Sequence, residues 1–489
     1  MDLVVTKNHE YTVKIRTHWI HSTYNPTREA EKFIQNFLVH HYKEGQTIFI
    51  LGSGLGYLEV VLNSLYPNIP FVSIDFITYP QNLGGEKLTF IYDENDPISI
   101  QKLRIDLQNQ LSSVLTDENF SLYAIMIWPV ARQIFPSAIG YIEEYVHRLK
   151  TSSLTLQHFS WRWLRNGFRN ILWWNQQLIL PRYRSVVVIA AGKTLEIALP
   201  FLINKQENYY FVVASSAVKT CRAYGLEPDL VVSIDGGYHA GVYMQDADGL
   251  EIINTFTGIA HENTSFLGFK NSFFDQLVSK EICVTPFSRW GGTVMSTAIE
   301  LAQQIAIEEI ILVGQDLTIS DYMTHAKPHH LYDNILSYHD RYKTLYSQYY
   351  PIESHSRETL PMYAQWFRES QWRESSNIII RRLLPSEVDL CIPEIPLEEF
   401  LRSDDRLGKV KEYQYLPEQS YKRSVLSHLI QQWESHLLEH PLSYFLLSEQ
   451  MNELTLARKA NDSTKVRLCT LAVTDILQQR IQILRDYLT

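Results

Sequence analysis

Residues 185–201 read SVVVIAAGKTLEIALPF. A run of β-branched residues ends at Gly192-Lys193-Thr194 and passes into a helix-like pattern, the opening of an α/β unit. The Gly-Lys-Thr triplet raises the question of a phosphate loop. A Walker A loop needs an earlier glycine to turn the chain so that successive backbone N–H groups encircle a phosphate. Val187 occupies that position, inside the strand, where the turn cannot be made. What remains is a strand, a tight turn and a helix N-terminus, a place where anions bind.

Working outward toward the N-terminus, a second α/β opening stands at residues 47–76, TIFILGSGLGYLEVVLNSLYPNIPFVSIDF. A strand at 47–51 meets Gly52, Gly54 and Gly56. Leu58, Val61, Leu62 and Leu65 then share a helix face, and a second strand, 71–74, ends at Asp75. This is a βαβ start of the Rossmann kind, with an acidic residue where such folds often bind a ribose. The GxGxG spacing resembles methyltransferases more than NAD enzymes, although Ile50 stands where methyltransferases usually carry an acid. A live cofactor site and a glycine turn kept for packing are the two readings. SLYAIMIWP (121–129) reads as a later strand of the same sheet. LQHFSWRWLRNGFRNILWWNQQLIL (156–180) places Trp161, Leu164, Phe168, Ile171 and Leu172 at helical spacing, as in a helix packed between domains.

Toward the C-terminus the α/β pattern continues. A strand ends at Ser215-Ser216 and another at Asp235-Gly236-Gly237; Gly291 and Gly292 open a helix bearing Val294, Ala298, Leu301 and Ile305 on one face; a strand at 309–313 ends in Gly314-Gln315-Asp316. Ligands of open α/β sheets sit beyond the carboxyl ends of the strands, where these polar residues fall. Two readings stand for each: Ser215 as a donor to a base or ribose and Asp235 as an acceptor from a hydroxyl, or both as helix-cap or turn residues. The helix start at Gly291-Gly292 favours a phosphate or carboxylate. Asp316 and His325 fall in the loop after the last of these strands. Pro328 disfavours the helix that would align His325 with His329 on a metal.

Length and charge frame the reading. The chain has 489 residues, 45% of them apolar and 20% charged, and a formal net charge of −10. That length predicts several domains, and the acidic balance argues against a general nucleic-acid binder. Cys221, Cys283, Cys391 and Cys469 form no CxxC pair, which fits reduced thiols rather than a zinc site or disulfide framework. No leader pattern and no membrane-length apolar run is legible, so the expectation is a soluble cytoplasmic protein.

Four segments carry a family resemblance: VVVIAAGKTLE (186–196), YGLEPDLVVSID (224–235), WGGTVMSTAIELA (290–302) and ILVGQDLTISDYMTHA (311–326). Together they resemble the motility-associated factor (Maf) glycosyltransferases, which share a domain with archaeal 6-hydroxymethylpterin pyrophosphokinases of the MptE type. They are also similar to bacterial sialyltransferases that use CMP-sialic acid. FILGSGLGYLEVVL (49–62) resembles the N-terminal domain of the longer members, so the resemblance covers roughly residues 45–390, with VGQD…THA its most specific part.

The resemblance implies an α/β chain with two Rossmann-like domains, at 1–150 and 185–400, a connecting helix at 151–184 and a helical region at 401–489. It implies transfer of a pseudaminic or legionaminic type sugar from its CMP donor to Ser or Thr of flagellin. No metal or cofactor is expected to be required, and no nucleic-acid or membrane partner; a homo-oligomer stays open. Gly192 and Thr194 match the first turn of the family, Asp235 the strand-end acid, and Gly291, Gly292 and Thr293 its GG-S segment. Gln315, Asp316 and His325 match the last motif, with His325 and Asp316 expected to be catalytic and His325 to be the base. Ala190 and Lys193 depart from the G-x-G-P-S-L pattern, and only Asn377 survives of an N-x-T-E-G-G stretch. The alternatives are an ATP-dependent pterin pyrophosphokinase and a nucleotide-binding scaffold without chemistry.

Overall fold

The computed structural model describes residues 3–261, 264–270, 272–289, 292–319, 324–342, 344, 360–361, 363–368, 377–402 and 408–489. Two compact units divide the chain: Met1–Ser160 with Gln432–Ile483, and Trp161–Gln431 with Leu484–Thr489.

The first unit holds a four-stranded parallel sheet of Thr47–Leu51 (β1), Phe71–Asp75 (β2), Leu88–Thr89 (β3) and Tyr123–Ile127 (β4), in the order β3-β2-β1-β4. Helix Tyr57–Leu65 follows the glycine turn and buries Leu58, Val61 and Leu62, while Leu65 at its end is exposed. Helix Pro26–His41 starts on a cap in which the Asn25 side chain accepts from the Arg28 N–H, with proline in its first turn. Helix Pro441–Lys459 belongs to the same unit, where Asn452 Nδ2 donates to the Ser121 hydroxyl at 2.9 Å.

The second unit is built on eight parallel strands: Tyr183–Ile189 (β5), Tyr210–Ala214 (β6), Leu230–Val232 (β7), Ile252–Thr255 (β8), Thr264–Phe269 (β9), Phe287–Ser288 (β10), Ala306–Val313 (β11) and Ile379–Arg382 (β12). Their order is β10-β9-β8-β7-β6-β5-β11-β12. The continuous apolar runs of β5, β6 and β11 follow from burial on both faces, as parallel sheets require. Val186, Val188, Val212 and Leu312 enter one core; Val187, Ile189, Val213 and Val313 enter the other. The chain winds outward from β5 to β10, then returns to lay β11 on the opposite side of β5. The topological switch therefore falls between β5 and β11, where the carboxyl-end loops part and leave a crevice.

The α/β architecture with a helical C-terminal region is as the sequence suggested, and the C-terminal helices are Gln419–Ser435, Pro441–Lys459 and Ser463–Asp486. One element differs. The helix expected at 151–184 runs from Pro136 to Trp173. Its apolar period extends back through Ile142, Ile139 and Ala138, all buried, and proline is tolerated in its first turn. It stops where Trp174 turns into an aromatic cluster with Phe256 and Phe266 at 5.4 and 5.5 Å, and Gln176–Ile179 is a strand. The boundary of the first unit at Ser160 thus lies within this helix. Among the described residues no helix is long and apolar enough to cross a membrane.

Candidate functional site

The turn after β5 and the turn after β11 are fastened to each other at the switch point. Gly192 N–H donates to Gly314 O at 2.9 Å. The two backbones approach so closely that a Cβ on Gly192 would lie 2.3 Å from Gly314 O, and one on Gly314 2.3 Å from Ala190 O. Gly314 also has φ +75°, a conformation that favours glycine. Above this contact the Asp316 carboxylate accepts from both donors of Thr194: Oδ2 from the N–H at 2.7 Å, Oδ1 from the hydroxyl at 2.5 Å.

This arrangement decides the phosphate-loop question. The N–H groups that a Walker loop turns toward phosphate are spent on Gly314 and Asp316, and Lys193 Nζ reaches Glu196 at 2.7 and 2.8 Å. Asp316 is only 3% exposed, and the Thr194 bonds make it a brace for the turn.

Gln315 points inward. Its Nε2 donates to Val188 O at 3.2 Å, while its buried Oε1 has no hydrogen-bond partner among the described residues. Arg382, at the end of β12, supports this loop from below by donating to Gln315 O at 3.1 Å and to Val388 O at 3.0 Å. Ser386 adds a bond to Asp316 O at 2.9 Å.

The histidine loop is pinned to the same turn. Ala326 N–H donates to Ala191 O at 2.7 Å and Lys327 N–H to Glu196 Oε1 at 2.8 Å, while the Thr220 hydroxyl donates to Pro328 O at 2.9 Å. His325 stacks on His329, ring centroids 4.2 Å apart, and its Nδ1 is 2.7 Å from the Thr324 hydroxyl. Burial disfavours its charged form and pulls its pKa from 6.5 down to about 4. His329 is pulled to about 3 by burial first and then by the neighbouring His325, His330 and Lys219. His329 Nδ1 accepts from Leu331 N–H at 3.1 Å, and a backbone hydrogen bond at Ser216 opposes the fall in its pKa. His330 pairs with Asp246, and the Tyr243 ring packs on both His329 and His330.

The remaining residues singled out in the sequence stand around this centre. Ser215, 7% exposed, follows β6. Asp235 is exposed, and its Oδ1 accepts from Gly237 N–H at 2.8 Å; its charge, after burial, raises the Tyr243 pKa, which links it to the histidine group. Thr293 caps helix Val294–Ile305 by accepting from Ser296 N–H at 3.2 Å, beside Gly292 at φ +76°. Gly291 lies outside the described residues. Sequence reasoning missed Glu196, Tyr243, Asp246, His330 and Arg382, and weighed His329 only as a metal partner of His325. The string HAKPHH at 325–330 was the available signal for the two histidines. Their acidic and aromatic partners lie on helix Tyr238–Gln245 and just after it, far away in sequence.

Residues 165–322 match the family model described as 6-hydroxymethylpterin diphosphokinase MptE-like. An uncharacterised protein of Treponema pallidum (strain Nichols) is 25% identical over 239 residues, 46% of this chain. The match spans about half, 52%, of that relative's length. The structure of the Maf glycosyltransferase from Magnetospirillum magneticum AMB-1 superposes with a TM-score of 0.50 at 12% identity, over 100% of this chain and 91% of that one. The resemblance read from the sequence is thus met twice, by an MptE-like segment and by a Maf-like fold.

Proposed function

We propose that the chain is a glycosyltransferase whose switch-point site binds a CMP-activated nonulosonic acid and transfers the sugar to a protein hydroxyl, with Ser or Thr of flagellin as acceptor. The observation that carries this reading is the clasp of Thr194 on Asp316 at the β5/β11 crevice with a neutral histidine pair pinned to the same turn. The likeness in fold to a Maf glycosyltransferase supports it.

In the proposed reaction the bond from the sugar C2 to the CMP phosphate breaks with its electron pair leaving on the phosphate. The acceptor oxygen bonds to C2 through an oxocarbenium-like transition state, and its proton passes to His325. Burial keeps His325 unprotonated at neutral pH and so able to accept that proton, as a weaker base than a free imidazole. In the tautomer whose Nδ1–H donates to the Thr324 hydroxyl, Nε2 is the atom that takes the proton. The Ser215 hydroxyl after β6 and the helix start at Thr293 are the neutral donors for the charge on the leaving phosphate, and no metal is assigned.

The test is a transfer assay beside CMP calorimetry on His325→Ala. The expected result is a loss of roughly 10²–10⁴-fold in transfer rate with CMP affinity preserved; unchanged transfer would remove His325 from the mechanism. A second reading, an ATP-dependent pterin diphosphokinase, is favoured by the family model over 165–322. It predicts binding of ATP with Mg²⁺ instead of CMP.

A further inference from the structure

The sheet of the first unit reverses its order between β1 and β4, and the glycine turn stands at that crevice, the place where α/β folds take nucleoside cofactors. Gly52, Gly54 and Gly56 all have left-handed backbone, at φ +66°, +72° and +96°. A cofactor there would need the N–H groups of the turn and the Asp75 carboxylate. The Gly54 and Leu55 N–H groups and that carboxylate are engaged already. Gly54 N–H donates to Asp75 Oδ2 at 3.0 Å, Leu55 N–H to His21 Nε2 at 3.0 Å, and the Tyr79 hydroxyl to Asp75 Oδ1 at 3.3 Å.

Into the same space the chain sends Lys87. Its ammonium lies 2.6 Å from Gly54 O, 2.7 Å from Ser53 Oγ, 3.3 Å from Glu59 Oε1 and 3.7 Å from Asp75 Oδ2. The side chains of Lys87, Glu59 and Asp75 are 5%, 0% and 1% exposed. The segment leading to Lys87 lies directly on the turn: Leu83 N–H donates to Leu55 O at 2.8 Å, and a Cβ on Gly56 would meet Gly84 N at 2.4 Å. Glu59 Oε2, buried in the cluster, keeps no partner among the described residues.

We infer that this glycine turn is a primary-ammonium site that the chain fills with its own Lys87, and that it takes no nucleoside cofactor. An ammonium has three donors, and the Gly54 carbonyl, the Ser53 hydroxyl and the Glu59 carboxylate supply three acceptors around it. Two buried carboxylates face one cation, so an arriving phosphate meets net negative charge, while a cation meets its counter-ions. The Lys87 stem and residues 83–84 fill the space over the turn where a ribose would lie.

The experiment is thermal unfolding of the full chain and of Lys87→Ala, each with propylammonium, with tetramethylammonium and with sodium chloride at equal ionic strength. Loss of one partner of a buried charge cluster is expected to lower the variant's midpoint by roughly 10 °C. Propylammonium recovers part of that loss; the other two salts do not. The midpoint of the unmutated chain is expected to stay fixed on addition of S-adenosylmethionine or NAD. A rise with either cofactor overturns the inference, as does a variant of unchanged stability or one that responds equally to all three salts. Lys87→Met keeps the stem without the ammonium and gives the same reading if the alanine variant does not fold.

Discussion

Thr194 and Asp316 show how a pair of ordinary residues shapes a site. Removing the Thr194 hydroxyl leaves a buried carboxylate oxygen without its donor, which costs about 1.5–3 kcal/mol. Thr194→Val is therefore expected to lower stability by that amount in chemical denaturation and to weaken CMP binding, because the turn loses its brace; equal CMP affinity would detach the clasp from the binding site. His325 yields a pH prediction. Its folded pKa, about 4, lies below the ordinary 6.5, so between these values the unfolded chain takes up a proton that the folded chain refuses. The unmutated protein should lose stability relative to His325→Gln as pH falls from 6.5 to about 4, and no such divergence should occur above 6.5. Urea midpoints of the two proteins across that range check it. Asp75 and Asp275, raised by burial to about 6 and 7, act in the opposite sense: their contribution is complete below 3.8 and is lost as pH rises through those values.

At the scale of elements, the strands and their polar ends were legible because parallel strands buried on both faces write themselves as unbroken apolar runs. Gly192, Thr194, Gln315 and Asp316 could be named from strand ends, but their pairing could not. Thr194 and Asp316 are 122 positions apart and meet only because β11 returns beside β5. Asp246 meets His330 across 84 positions for the same kind of reason. The long helix begins earlier than the sequence suggests, because its buried positions Ala138, Ile139 and Ile142 follow closely on the strand Tyr123–Ile127. Within the second unit that helix is anchored by Phe168, fully buried and stacked on Phe274 at 5.8 Å, and by Asn170, which donates to Phe256 O and Gly258 O at 2.8 and 2.9 Å. Phe168→Ala is expected to destabilise the unit by about 3–5 kcal/mol, a shift readable in its denaturation midpoint; a cost under about 1 kcal/mol would mean that the helix does not depend on this contact.

At the scale of the whole molecule, two α/β units each present a glycine turn at a topological switch, and the two turns are put to different uses. The first is closed by Lys87 from its own chain. The second is braced by Thr194 on Asp316 and carries a buried Gln315 Oε1 that has no partner among the described residues. A glycine count did not separate these cases, since the spacing around Gly52, Gly54 and Gly56 looks the more cofactor-like of the two; the difference rests on a lysine beyond the second strand.

Calorimetric titration of the full chain with CMP and with ATP, each with and without Mg²⁺, separates a CMP-sugar site from an ATP site at the β5/β11 crevice. CMP is expected to bind independently of Mg²⁺, and ATP is expected not to bind. Mg²⁺-dependent binding of ATP without CMP binding would contradict the proposed function.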